Sequence, residues 1–197
     1  MKKAREVRLK SKKGKLEKEN KEIDTIVGLS ALKYAMLKVG RLTDIQFDIE
    51  ESVSLQGNSG PYLQYTYART RSVLQKPEAR SPSSGFGNST ITSAVPACLA
   101  GRQAGSWQPN IEELSVLRTL YKFPEMVEQA GKQNAPNQIC NYLYDLAQKY
   151  NSFYGKNRIL QLSDTSKSNF RLMLTATTGQ ILKNGLGLLG IDVVEKM

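Results

Sequence analysis

Tyr62, Tyr65 and Arg69 stand at positions i, i+3 and i+7 of a helix-competent segment, which puts two phenol rings and a guanidinium on one helix face. Flat rings stack on nucleobases, and a guanidinium grips phosphate or lies over a ring, so the stripe has the chemistry of a single-strand nucleic-acid contact. The competing assignment is plain packing, with half-buried tyrosines and a surface cation. The segment is opened by Gly57-Asn58-Ser59-Gly60-Pro61, a breaker cluster that leaves proline in the first helical turn.

Other chemistry is narrowed by what the chain lacks. It contains no histidine, which removes the commonest general base and zinc ligand and excludes Ser-His-Asp and Cys-His nucleophile systems. Catalysis would have to rest on Lys, Tyr or carboxylates, and the carboxylates are scattered. Cys98 and Cys140 form no spaced motif and suit a reducing compartment. Lys10-Ser11-Lys12-Lys13-Gly14-Lys15 has the wrong spacing for a P-loop and reads as a solvated lysine run. Gly185, Gly187 and Gly190 spell a dinucleotide fingerprint, but the motif should open a helix after a strand. Here it closes a helix, so it reads as a helix-terminating glycine cluster.

The chain of 197 residues carries a net charge of +10, and residues 1–22 hold ten Lys/Arg against four Asp/Glu. Much of the basic excess is therefore an N-terminal arm, and the body is mildly basic, compatible with a polyanion partner. No apolar run reaches the roughly 20 residues that span a bilayer, and no signal-peptide pattern opens the sequence. The expected setting is soluble and cytoplasmic, with no membrane partner.

The elements that must hold the stripe read as helices. Apolar residues recur at helical spacing from Ile23 to Leu37, through Val27, Ala31, Tyr34 and Ala35, and Gly40 stops the run. Thr43 to Leu55 reads as a polar-interrupted connector. The Tyr62 helix runs to about Gln75, before Pro77. Residues 76–109 hold four of the seven prolines without periodicity and read as a long irregular loop. Asn110 with Glu113 forms a capping box for a helix carrying Leu114, Leu117, Tyr121 and, past Pro124, Met126 and Val127. A further helix spans about Pro136 to Arg158, with Ile139, Leu143, Leu146, Tyr150 and Phe153 as its core stripe and Tyr154 and Arg158 one turn apart beside it. Another begins near Ser163 and lines up Phe170, Leu174, Thr177, Ile181 and Leu188. No strand is expected; the fold class is all-α, a helical bundle.

The order of motifs resembles the C-terminal third of arginyl-tRNA synthetase. The resemblance is carried by Ile26 to Tyr34, Phe47-Asp48, Gly57 to Arg69, Leu117-Arg118, Lys122-Phe123-Pro124-Glu125, Asn141 to Ala147 and Phe153-Tyr154. It continues through Phe170-Arg171-Leu172, Leu182 to Leu186, Leu188 to Ile191 and the terminal Glu195-Lys196-Met197. It covers about residues 1–76 and 110–197. The histidine- and glycine-rich signature of class I synthetases and the Lys-Met-Ser-Lys signature are both missing; in the family they lie upstream of this stretch.

The resemblance implies a bundle of the class I anticodon-binding type over residues 57–197, with 1–56 as the tail of the catalytic region and connector helices. It implies tRNA-Arg as partner, the N-terminal catalytic domain as intramolecular partner, and a monomer. The parent enzyme, an arginine–tRNA ligase, would use ATP with Mg; no cofactor is expected in this chain, which alone should be inactive. The implied anticodon-facing residues are Tyr62, Tyr65, Arg69, Tyr154 and Met197, with Arg158 a candidate for phosphate and Arg171 a candidate by position, for which a structural ion pair is the alternative. The alternative is a non-catalytic helical RNA- or protein-binding adaptor that kept this fold.

Overall fold

A computed structural model describes residues 23–76, 108–160 and 165–195. The lysine-rich arm, almost all of the 76–109 loop, Cys98 and Met197 lie outside the described residues, as does the expected start of the last helix at Ser163. Among the described residues there are seven helices and no strand: α1 (23–37), α2 (Ile49–Val53), α3 (Gly60–Leu74), α4 (Ile111–Tyr121), α5 (Phe123–Gln133), α6 (Pro136–Lys156) and α7 (Thr165–Leu188). None of these helices is long and apolar enough to cross a membrane.

Local chemistry explains most of the boundaries. The Ser59 hydroxyl accepts from the Tyr62 amide, and Pro61 sits in the first turn of α3, where its missing N–H costs nothing. The capping box that opens α4 is complete: Asn110 Oδ1 accepts from the Glu113 amide at 2.8 Å, and Glu113 Oε2 accepts from the Asn110 amide at 2.8 Å. The segment beyond Thr43 is not wholly a connector. Asp48 caps the short α2 by accepting from the Glu50 amide at 2.8 Å. The helix expected to run on through Pro124 breaks at Lys122, because a proline ring inside a helix meets the carbonyl four residues back. Pro124 instead falls in the first turn of a new helix.

The core lies where α6 and α7 meet each other and the flanking α3 and α4. The expected α6 stripe holds: Ile139, Leu143, Leu146, Tyr150 and Phe153 are all buried. The α7 stripe needs correction. Leu174 is buried, but Thr177 and Leu188 are exposed, and the buried face runs through Leu172, Thr175, Thr178, Leu182 and Leu186. Thr175 and Thr178 can be buried because their hydroxyls donate to the carbonyls of Arg171 and Leu174, each at 2.8 Å. The glycine cluster also divides. Gly190, at φ +67°, is the residue that stops α7, with the Ile191 amide returning to the Leu186 carbonyl at 2.9 Å. Gly185 lies inside the helix, where a Cβ would come within 2.5 Å of Leu143; it permits the close approach of α6 and α7.

Among the described residues, Arg171 is the one buried cation paired with a buried anion. Its Nε donates to Glu113 Oε1 at 2.6 Å, Nη1 to the Arg158 carbonyl at 2.7 Å and Nη2 to Asn157 Oδ1 at 3.1 Å. Its exposure is 3% and that of Glu113 is 0%. Removing one partner of such a pair leaves the other charged and unsolvated. Arg171→Met should therefore lower the unfolding free energy by about 3–5 kcal/mol in urea titrations, and a joint Glu113→Gln, Arg171→Met change should recover part of that loss. A second outcome follows from Cys140, which is fully buried, its thiol pushed by that burial up to about 12. It should resist iodoacetamide in the folded chain and react on unfolding, as peptide mass mapping would show.

Candidate nucleic-acid interface

The stripe predicted on α3 is completed by α6. The Arg69 guanidinium carbon lies 4.7 Å from the centre of the Tyr65 ring and 5.0 Å from that of Tyr154. Both distances are inside the range for a cation over an aromatic face, so one planar cation serves a ring from each helix. Tyr65 and Tyr154 keep 37% and 36% of their surface exposed, enough for another flat group to reach them. Tyr62 is half-buried, with its ring edge-on to Tyr144 at 5.7 Å between centroids.

A residue that sequence reading passed over organises the group. Asn151, one turn before Tyr154 on α6, accepts through Oδ1 from Arg69 Nη1 at 2.7 Å. Its Nδ2 donates to the Tyr62 hydroxyl at 2.9 Å and the Thr66 hydroxyl at 3.0 Å. The amide orientation has a chemical reason: arginine has no acceptor, so only the carbonyl oxygen can face it. The Tyr65 hydroxyl accepts from Arg69 Nη2 at 2.9 Å. The signal that could have found Asn151 is its placement. An amide is a weak helix former, yet it interrupts α6 between the buried Tyr150 and Phe153.

Behind Tyr154 on α6 lie two buried aromatic rings. Tyr150 is buried and stands 6.3 Å from Tyr154 and 6.0 Å from Phe153. Burial raises its phenol well above the ordinary value, so it stays protonated and backs the exposed ring as packing. The arrangement therefore offers two partly exposed rings, a cation in contact with both, and hydroxyl and amide groups at its edge.

Two other expected residues do not join the group. Arg171 is interior, with its donors taken by Glu113, Asn157 and the Arg158 carbonyl. Arg158 is exposed, but α6 ends at Lys156 and Asn157 is extended, at φ −124°. The one-turn relation to Tyr154 is thus absent: the Asn157 side chain leaves the helix register to accept from Asn110 Nδ2 at 2.6 Å and from Arg171.

The profile of the DALR anticodon binding domain matches residues 63–197. The chain belongs to that family. The DALR match takes in Tyr65, Arg69, Asn151 and Tyr154 and begins one residue after Tyr62. The chain is 40% identical over 179 residues to the arginine–tRNA ligase of Rhodopirellula baltica, covering 91% of this chain and 26% of that protein. The arginyl-tRNA synthetase structure from Thermus thermophilus superposes with a TM-score of 0.66 at 27% identity, covering 87% of this chain and 27% of that one. The Plasmodium falciparum enzyme gives 0.67 at 26% identity, covering 96% and 31%. The chain thus spans about a quarter of the length of the curated relatives it matches, and its likeness is to their C-terminal part.

Proposed function

We propose that this DALR domain reads the anticodon of tRNA-Arg as the C-terminal part of an arginine–tRNA ligase. The observation that carries the reading is the Tyr65–Arg69–Tyr154 cluster, its two rings partly exposed, built from two helices inside the stretch that matches the family. A tRNA anticodon presents single-stranded bases that can be splayed out, stacked on aromatics and read at their edges. Two accessible rings suit the stacking, and the N–H groups of Arg69 not used by Asn151 and Tyr65 suit a base edge or a phosphate. Tyr62 closes one end of the group. Arg158 is the exposed cation beyond the end of α6, and Met197 completes the proposed set. Residues 1–56 would be the tail of the catalytic region, and 57–197 the anticodon-binding unit. Arginine activation with ATP and Mg would be the work of the upstream catalytic domain, so this chain by itself would charge no tRNA.

A titration with tRNA-Arg transcripts at two salt concentrations, beside a transcript with an altered second anticodon base, tests the reading. Phosphate contacts release counterions, so affinity should fall steeply with added salt, and the altered base should bind more weakly. Tyr154→Ala should weaken binding by about 1–3 kcal/mol, the worth of one aromatic–base stack. A flat salt response with equal binding of both transcripts would instead favour a protein-binding adaptor on the same fold.

A further inference from the structure

We infer that Asn151 is the positioning residue of this face, holding Arg69 against Tyr65 and Tyr154 before any RNA arrives; the inference rests on the anticodon-binding reading for its RNA arm only. An arginine on a helix surface has many rotamers, and docking it onto a ligand forfeits that freedom. Here the freedom is already lost. Arg69 is anchored at one terminal nitrogen by the Asn151 carbonyl oxygen and at the other by the Tyr65 hydroxyl. Tyr65 is carried by the same helix as Arg69, so its hydroxyl alone cannot tie the cation to α6. Asn151 is the hydrogen bond that does so, and it places the guanidinium within reach of the Tyr154 ring at 5.0 Å.

Asn151 is itself held from the other side. Its amide nitrogen has two hydroxyl acceptors on α3, Tyr62 and Thr66, and Thr66 Oγ1 in turn donates to the Tyr62 carbonyl at 2.9 Å. The single side chain therefore fixes Arg69 on its oxygen side and the Tyr62 edge on its nitrogen side. An amide suits the place because it both donates and accepts. A carboxylate would hold Arg69 but lose the donors and add a negative charge where a polyanion docks; a hydroxyl could not span both neighbours. Asn151 would act on RNA through Arg69 and Tyr62, whatever contact of its own it makes.

The test uses Asn151→Ala, with Asn151→Ser as a second variant should the first lose its fold, read against thermal unfolding. In the RNA-free chain, the Arg69 side-chain N–H resonance should be protected in the wild type and exchange freely in Asn151→Ala. With an anticodon stem-loop of tRNA-Arg as probe, Asn151→Ala should weaken binding about tenfold. In an Arg69→Ala background the same change should cost much less, since the two residues act as one unit. Wild-type affinity in a folded Asn151→Ala variant, or losses from Asn151 and Arg69 that simply add, would overturn the inference. If the wild-type chain does not discriminate anticodons, the proposed function fails, while the RNA-free resonance still decides whether Asn151 holds Arg69.

Discussion

The guanidinium of Arg171, buried against the Glu113 carboxylate, is the interaction on which the arrangement of α4, α6 and α7 depends. Glu113 is already committed to the start of α4 through the capping box, so the ion pair ties α7 to the first turn of α4. The other nitrogens of Arg171 reach the Arg158 carbonyl and Asn157, which end α6. A buried charge pair is costly to desolvate and is tolerated only when its remaining donors and acceptors are met. Here the neighbours that meet them are the chain ends of two other helices. The same network pulls Asn157 out of helical register and sets where α6 stops, two residues beyond Tyr154.

That constraint has a consequence for the proposed RNA-facing side. Tyr154 stands in the last turn of α6, where a helix without tertiary support frays. The interior network and the packing of Phe153 behind it hold that turn in place, so the exposed ring presents a fixed face. On the other side of the Arg69–Asn151 contact, α3 is anchored as firmly. The buried Gln64 accepts from the Ser30 hydroxyl at 2.9 Å and donates to the Asp192 carbonyl at 2.7 Å, joining α1, α3 and the end of the described chain. The Tyr34 hydroxyl lies 2.6 Å from Asn58 Oδ1 and 3.0 Å from the Cys140 carbonyl, fastening the entry to α3 against α6. The exposed group is small, but each of its two helices is pinned by buried polar contacts.

Much of this was legible from residue types. The capping box at Asn110, the proline in the first turn of α3, the α6 core stripe and the shared face of Tyr62, Tyr65 and Arg69 are local facts, set within one or two turns of helix. The order of motifs pointed to the arginyl-tRNA synthetase C-terminus, and the DALR match agrees with it. Reading failed where the deciding neighbour was far away in sequence. On α7 apolar and small residues occur all round the helix, so periodicity does not single out a face, and the helices packed against it choose the one through Leu172, Thr175, Thr178, Leu182 and Leu186. Position alone leaves Arg171 open between an RNA contact and a structural ion pair, because the partner that decides it, Glu113, stands 58 positions earlier.

The sequence by itself determined that the described chain is helical, where α3, α4 and α6 begin, and which aromatic and basic side chains share the outer face of α3, because these follow from periodicity and capping over a few residues. Tertiary structure decided which arginine is buried and which is displayed, since both have the same chemistry and differ only in what the fold brings beside them. It also decided that Tyr154 joins the α3 stripe through Arg69, with Asn151 hydrogen-bonded between the two helices. No local pattern encodes that meeting: it exists only where α3 and α6 cross, 82 residues apart at Arg69 and Asn151.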